Sequence, residues 1–252
     1  MLKIRSFLEY NKCIICNLES LTYTLRKINK TEYICENCRR SRDYSTRNTN
    51  IKGKTTSTIS YSFEFETDSR ANELYELGKF NFIGCGDCSI NGLEWKSPIF
   101  YSRKAFHNTC KKIDKFAKYV GRNCGTHLHV STPYKMKLEQ YKRELFEPIL
   151  HEMISNKERT TKFWGRYFNS YCSAVIGNTR YNAFNTMSSV QTLEFRLLKY
   201  RNAEQYIRAC DFCIDTTKFL NRVIGRDDIN LVKARKIGEI ILEKYKEVIK
   251  DV

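Results

Sequence analysis

The stretch Ile59-Ser-Tyr-Ser-Phe-Glu-Phe-Glu66 decides how this chain folds, because its side chains alternate strictly between apolar and polar. Successive side chains of an extended strand point to opposite faces of a sheet. Ile59, Tyr61, Phe63 and Phe65 therefore share one face, while two serines and two glutamates share the other. We predict a β-strand whose apolar face packs on a core and whose ionisable face serves another purpose.

Three later segments repeat this design. They are Gly92-Leu-Glu-Trp-Lys96, Gly125-Thr-His-Leu-His-Val-Ser131 and Thr192-Leu-Glu-Phe-Arg-Leu-Leu198. Each has apolar side chains on one face and ionisable side chains on the other, the latter being Glu94, His127, His129, Glu194 and Arg196. Placed side by side in one sheet, the four strands would gather four glutamates, two histidines and an arginine.

Such a concentration of carboxylates favours a metal site. Closely spaced carboxylates repel and raise one another's pKa, and divalent cations remove that conflict. Carboxylate oxygens suit magnesium, which bridges to substrate phosphates, and arginine complements phosphate charge. The alternative is that each strand simply faces solvent in an ordinary antiparallel sheet. The repetition over four strands favours the metal interpretation, because Glu and His are poor strand formers.

Helices are predicted between and after these strands. The periodicity of apolar residues places them over 102–120, 135–155, from Asn202 to beyond Leu220, and over roughly 228–250. Pro148 predicts a kink or break in the second helix. Asn202 followed by Gln205 predicts a capping box at the start of the third. Strands combined with helices on one side predict an α+β fold with an antiparallel sheet.

The N-terminal cysteines have the spacing of a structural zinc site. Cys13-Ile-Ile-Cys16 and Cys35-Glu-Asn-Cys38 are two CxxC pairs separated by an 18-residue gap. Two such turns supply four thiolates in a tetrahedron around one zinc ion. The segment Leu21-Thr-Tyr-Thr-Leu25 between them alternates like a short strand. We therefore predict a zinc-ribbon-like module over residues 1–40.

A linker and a larger domain are predicted to follow the ribbon. Residues 41–57 are polar and aperiodic, which indicates a linker, and residues 58–252 form the predicted catalytic domain. The chain has eleven cysteines. An odd number without a secretory signal argues against a disulfide framework and favours free thiols and metal ligation.

The overall charge and hydropathy limit the classes of partner that we expect for this protein. The net charge is +16, which favours anionic partners and leaves direct nucleic-acid binding open. Residues 1–10 lack the apolar segment of a secretory signal. No apolar run approaches the roughly 20 residues that span a bilayer. We therefore expect a soluble, cytoplasmic protein that does not enter a membrane.

The ordered set of motifs resembles one family. It comprises Phe63-Glu-Phe-Glu66, Asp87-Cys-Ser89, Gly92-Leu-Glu-Trp-Lys-Ser-Pro98, Gly125-Thr-His-Leu-His-Val-Ser131 and Thr192-Leu-Glu-Phe-Arg196. This set is similar to the amidoligase family, which belongs to the glutamine-synthetase-like carboxylate–amine/ammonia ligase superfamily. The resemblance covers about residues 59–215. The single motifs are short, and their order and spacing make the match specific.

The resemblance implies ATP held on the sheet by two magnesium ions. Glu66 and Glu94 correspond to ligands of one ion. Glu64, His127 and Glu194 correspond to ligands of the other, which lies nearer the transferred phosphate.

The resemblance also implies roles for residues around the metals. Arg196 would steady the phosphates, and His129 and Ser131 would line the nucleotide site. Arg180 and Asn185, in Arg180-Tyr-Asn-Ala-Phe-Asn185, would contact phosphate or substrate, as would Asp87. Two further residues are weaker candidates, Arg159 and Arg166.

The implied activity is ATP-dependent carboxylate–amine ligation. A substrate carboxylate is activated as an acyl phosphate and joined to an amine of a small molecule, peptide or protein. Two alternatives stay open. One is a nucleic-acid-binding zinc-ribbon protein without ligase activity, and the other is a phosphotransferase on the same scaffold.

The chain departs from the family pattern at Cys88, where the family usually has glycine between Asp and Ser. Cys85-Gly-Asp-Cys88 is itself a CxxC, and Cys210-Asp-Phe-Cys213 is another. A second zinc site from these four thiols is one interpretation, and it would give Asp87 a structural role. The other is that Cys210 and Cys213 are small buried hydrophobic residues.

Overall fold

The computed structural model describes residues 59–69, 71–86, 92–177, 179–187, 191–226, 229–250 and 252, and the backbone of four short N-terminal strands. These strands are β1 (Tyr10–Lys12), β2 (Glu19–Leu21), β3 (Leu25–Lys27) and β4 (Tyr33–Cys35). They pair as two antiparallel hairpins, β1 with β2 and β3 with β4. The described residues do not include the predicted linker, the predicted zinc ligands Cys13, Cys16 and Cys38, or the side chain of Cys35. The zinc site and the linker therefore stay predictions.

A six-stranded antiparallel sheet forms the centre of the described region from residue 59 onwards. Its strands are β5 (Tyr61–Thr67), β6 (Ile83–Gly86), β7 (Leu93–Lys96), β8 (Thr126–Ser131), β9 (Phe184–Asn185) and β10 (Thr192–Phe195), in the spatial order β6-β7-β5-β8-β10-β9. The four predicted strands are the four contiguous central ones. The prediction that they lie side by side is therefore confirmed, and β6 and β9 extend the sheet at its edges.

The apolar face of the sheet packs on the core, as the alternation predicts. Tyr61, Phe63 and Phe65 are buried. The ring of Phe63 lies edge-on to Phe106, with centroids 5.7 Å apart, and to Tyr206 at 5.5 Å. Edge-to-face aromatic pairs of this kind stabilise a core beyond simple area burial.

The described residues form six α-helices, which pack against the sheet or against one another. They are α1 (Arg103–Ile113), α2 (Lys135–Gln140), α3 (Lys142–Ser155), α4 (Lys157–Trp164), α5 (Ala203–Arg226) and α6 (Leu231–Ile249), with 3₁₀ segments over Asn72–Phe80 and Asp114–Tyr119. The described part of the chain is thus α+β. None of the helices in this part has the length and apolar character needed to cross a membrane.

Two helix predictions need correction. The helix predicted over 102–120 ends at Ile113 and continues as a 3₁₀ segment. The helix predicted over 135–155 breaks at Tyr141, whose backbone leaves the helical region, and not at Pro148.

Pro148 lies inside α3, and α6 closely approaches the carbonyl that this proline leaves without a helical partner. Proline has no N–H to donate to the carbonyl four residues earlier, which is that of Glu144. A Cβ placed on Gly238 of α6 would lie 2.1 Å from that oxygen. Glycine at 238 therefore lets the two helices pack closely at this point.

An asparagine side chain caps the N-terminus of each of the last two long helices. The predicted cap at Asn202 is confirmed, since its Oδ1 accepts a hydrogen bond from the Gln205 N–H at 2.9 Å. The Gln205 side chain donates instead to the Phe163 carbonyl at 2.7 Å, which ties α5 to α4. Asn230 caps α6 in the same way through the Lys233 N–H. The helix predicted over roughly 228–250 is thus present over Leu231–Ile249.

Candidate functional site

The register of the central strands places the ionisable side chains in rows on one face. Glu64 on β5 is opposite Lys96 on β7 and His127 on β8. One pleat further along, Glu66 is opposite Glu94. Residues directly opposite in neighbouring strands have Cβ atoms about 5 Å apart, so their side chains interact.

A third row continues the site towards the other edge of the sheet. His129 on β8 is opposite Ser62 on β5 and Glu194 on β10. Glu194 in turn is opposite Asn185 on β9. The sheet therefore brings together the glutamates and histidines predicted on the four strands and adds Asn185 from a fifth strand.

Glu64, His129 and Glu194 form a group that can hold a cation. Each offers one ligand atom, and the three atoms lie within 4.8 Å of one another. His129 Nε2 is 3.7 Å from Glu64 Oε1. His127, which the resemblance assigns as the ligand here, lies beside the same carboxylates, with its Nδ1 3.3 Å from Glu64 Oε2 and 3.6 Å from Glu194 Oε1.

The His129 imidazole supplies an independent sign of a ligand. Its Nδ1 is 3.3 Å from the Thr192 hydroxyl, whereas its Nε2 is buried and makes no hydrogen bond within the described parts of the chain. Buried polar atoms are nearly always partnered, so a nitrogen without a hydrogen bond, 3.7 Å from the Glu64 carboxylate, leaves a place for a further partner. One imidazole and two carboxylates fit a divalent cation.

Burial and charge act in opposite directions on the carboxylates of this group. Burial disfavours ionisation of Glu64, but His127, His129 and Lys96 outweigh it and hold the pKa of this carboxyl well below its usual value. The pKa of Glu194 is lowered despite burial, because His129 and the Arg196 charge favour the ionised form. Both groups are therefore carboxylates ready to bind a cation at neutral pH.

Neighbouring donors fix the orientation of Glu194. Arg196 Nη1 donates to its Oε1 at 2.5 Å, and Asn185 Nδ2 donates to its Oε2 at 2.6 Å. Arg196 Nε also donates to the Tyr171 carbonyl at 3.2 Å. The guanidinium is thus held at the rim of the cation group, where it can meet an anionic substrate.

The predicted second pair of metal ligands has a different environment. Glu66 Oε2 accepts the Gly125 N–H at 2.5 Å, and its Oε1 lies 3.7 Å from His127 Nε2. Glu94 Oε1 lies 3.4 Å from Lys96 Nζ, which is also 3.5 Å from Glu64 Oε1. The two carboxylates raise the pKa of Lys96 although burial acts against its charge. Sequence reasoning missed this lysine, and its position two residues after Glu94 was the available signal.

Arg166 approaches the site from the loop after α4. Its Nη2 donates to the Arg196 carbonyl at 2.8 Å. A Cβ on Gly125 would lie 2.6 Å from Arg166 Nη1 and 3.1 Å from His127 Nε2, so glycine makes room for both groups. Of the two weaker arginine candidates, Arg166 therefore adjoins the site, while Arg159 is exposed on α4.

The remaining predicted residues lie further out. Arg180 is exposed and donates to the Tyr181 hydroxyl at 3.0 Å. The Tyr181 ring lies 5.1 Å from the Arg180 guanidinium and 5.7 Å from that of Arg196. Ser131 accepts the Ser60 N–H through its hydroxyl at 2.8 Å. Asp87 lies outside the described residues.

The described cysteines do not gather into the second zinc site that the sequence left open. Cys85 is opposite Glu94 and shares its polar face of the sheet. Cys210 and Cys213 are buried on α5, and Cys210 neighbours Tyr206, which packs on the apolar face. Burial raises the pKa of both α5 thiols well above the ordinary value. They behave as small core residues, and Cys88 lies outside the described part of the chain.

Comparisons with known proteins give this site no precedent. No protein-family model, no curated protein and no solved structure matches the chain. The amidoligase resemblance and the roles that it implies therefore stay predictions.

Proposed function

We propose that this protein is an ATP-dependent carboxylate–amine ligase. The observation that carries the proposal is the convergence of Glu64, His129 and Glu194 around an open imidazole nitrogen, with Arg196 fixed beside them. The amidoligase resemblance supports the same reading through the order of its motifs. A divalent cation on an arginine-lined sheet face suits phosphoryl transfer, in which the transferred group carries negative charge.

Each group has a defined part in this proposal. Glu64, Glu194 and His129 hold a divalent cation, which supplies charge neutralisation and orientation for the ATP phosphates. Arg196 donates to the γ-phosphoryl oxygens, and Arg166 adds positive charge behind it. A substrate carboxylate oxygen attacks the γ-phosphorus and ADP leaves, giving an acyl phosphate. An amine then attacks the acyl carbon, and the products are an amide, phosphate and a proton.

The test is ADP release by purified protein supplied with Mg²⁺, ATP and libraries of carboxylates and amines. We expect turnover that needs both substrates and yields a new amide detected by mass spectrometry. Glu194→Gln removes one ligand charge while keeping the side-chain shape, and we expect at least a 100-fold loss of turnover, in line with the effect of removing one electrostatic group from an active site.

The matched control is Glu158→Gln, which alters an exposed carboxylate on α4. It should leave turnover unchanged. Full activity of Glu194→Gln would contradict the proposal. A phosphorylated product without amide would assign the site to a phosphotransferase, and salt-sensitive binding of nucleic acid without ATP turnover would favour the binding-protein alternative.

A further inference from the structure

Glu94, one member of the predicted ligand pair Glu66 and Glu94, already has a cationic partner within the protein. Lys96 Nζ lies 3.4 Å from Glu94 Oε1 and 3.5 Å from Glu64 Oε1, and only 1% of this lysine is exposed. A buried ammonium between two carboxylates plays the electrostatic role of a bound cation. The charge of Glu94 is therefore balanced without a bound ion.

Glu66 has a backbone donor of its own. The Gly125 N–H donates to its Oε2 at 2.5 Å, and His127 Nε2 lies 3.7 Å from its Oε1. The other group differs, because Glu64, His129 and Glu194 each offer a ligand atom within 4.8 Å of one another and His129 Nε2 is buried without a hydrogen bond among the described residues. The chemistry of the donor set fits a cation at Glu64, His129 and Glu194, and it does not fit a second one between Glu66 and Glu94.

The charge balance of the site agrees with one ion. Four carboxylates on this face pair with the fixed cations Lys96 and Arg196 and with the imidazoles of two histidines. Counting both imidazoles as neutral, which is the form that binds metal, leaves two negative charges, and a single divalent cation neutralises them. Arg166 beside Gly125 adds further positive charge at the edge and makes a second divalent ion still less favourable.

We propose that Lys96 replaces one of the two metal ions that the family resemblance implies, so that the nucleotide-free protein holds a single divalent cation on this face. Lys96 is then a positioning residue: its ammonium fixes Glu64 and Glu94 while the resident ion occupies the neighbouring group. The inference rests on the metal centre of the proposed function and is independent of amide formation.

The experiment is a Mn²⁺ titration of the zinc-loaded full chain without nucleotide, with free Mn²⁺ measured by electron paramagnetic resonance. Mn²⁺ suits carboxylate ligands. We expect one Mn²⁺ per wild-type chain, lost in Glu194→Gln. Lys96→Met keeps the length and apolar stem of the side chain but removes its charge, and we expect it to bind two.

The control is Lys142→Met, which changes another buried, ion-paired lysine that lies on α3 and bonds Glu139. It should still bind one ion. Two ions in the wild type, or one in a folded Lys96→Met variant, would overturn the inference and leave the proposed function standing. A wild-type chain that binds none would overturn both, whereas one ion without ligase activity would overturn the proposed function alone.

Discussion

At the scale of single residues, Asn185 is placed to control a metal ligand without being one. Its amide nitrogen donates to Glu194 Oε2 at 2.6 Å, on the side of the carboxylate opposite the Arg196 bond to Oε1. Partners of this kind set the orientation and basicity of a ligand. In the proposed metal site, Asn185 would therefore act on the cation through Glu194.

Asn185→Leu should weaken cation binding without removing a ligand. The substitution keeps the branched shape of the side chain but deletes the donor to Glu194, so the carboxylate loses one of the two bonds that fix its orientation. We expect the Kd for Mn²⁺ to rise by about 10-fold to 100-fold, measured by the same titration.

Asn156→Leu provides the comparison, since it removes an amide that bonds Glu152 at the end of α3. It should leave the Mn²⁺ affinity unchanged. An unaltered Kd in Asn185→Leu would show that Arg196 alone orients Glu194.

The residues that sequence reasoning predicted on the site share one property, namely their place on the polar faces of alternating strands. The alternation determines which face of the sheet each side chain occupies, and the pairing of neighbouring strands brings these side chains together. Lys96 was missed because a lysine at a strand end is ordinarily a solvated residue. Arg166 could not be ranked above Arg159, because its approach depends on the path of a loop with no periodicity.

At the scale of elements, the end of α4 is tied to the chain that follows β10. Gly165 adopts φ +83° after the helix, and its carbonyl accepts from Arg201 Nε at 2.6 Å. The Lys199 N–H donates to the Trp164 carbonyl at 2.8 Å. This left-handed turn directs the chain into the segment that carries Arg166.

Gly165→Ala should destabilise the fold. A Cβ at this position would lie 2.2 Å from the Lys199 carbonyl oxygen, and the left-handed conformation is itself unfavourable for alanine. We expect the free energy of unfolding to fall by more than about 1 kcal/mol, measured by urea denaturation.

Gly78→Ala is the matched control, because a Cβ there meets nothing within 4 Å and the residue lies in a 3₁₀ segment. Its unfolding free energy should stay near that of the wild type. Equal stability of the two variants would contradict the role given to the Gly165 turn.

Elements were predictable where a periodic pattern exists and were missed where it does not. The four central strands and the N-terminal cap of α5 have local sequence signals, and the structure forms these elements where the signals predict them. β9 has two residues, and β6 reads Ile83-Gly-Cys-Gly86, so neither alternates by polarity. The break between α2 and α3 was misplaced because the sequence has a breaking signal at Pro148 and none at Tyr141, where the backbone leaves the helical region.

At the scale of the whole molecule, we predict that the N-terminal hairpins and the domain built on the six-stranded sheet differ in what stabilises them. The sheet domain has an extensive aromatic and aliphatic core. The paired cysteine spacing near the N-terminus instead predicts that a metal ion supplies much of the folding free energy there.

We expect elemental analysis to find about one zinc per chain. Cys13→Ser combined with Cys16→Ser should remove it, because a two-thiolate remnant binds zinc weakly. Cys210→Ala combined with Cys213→Ala should leave the zinc content unchanged, since these thiols are core residues. About two zinc ions per chain, falling in the α5 double variant, would contradict this assignment and restore the second cysteine site.

The antiparallel sheet also determines when the cation group can form during folding. Glu64 and His127 stand 63 positions apart in the chain, as do His129 and Thr192. Closing such long loops is entropically costly, and it makes sheets of this topology slow to assemble. Capture of Mn²⁺ during refolding should therefore be a late event that reports completed strand pairing, well after helical circular dichroism has recovered.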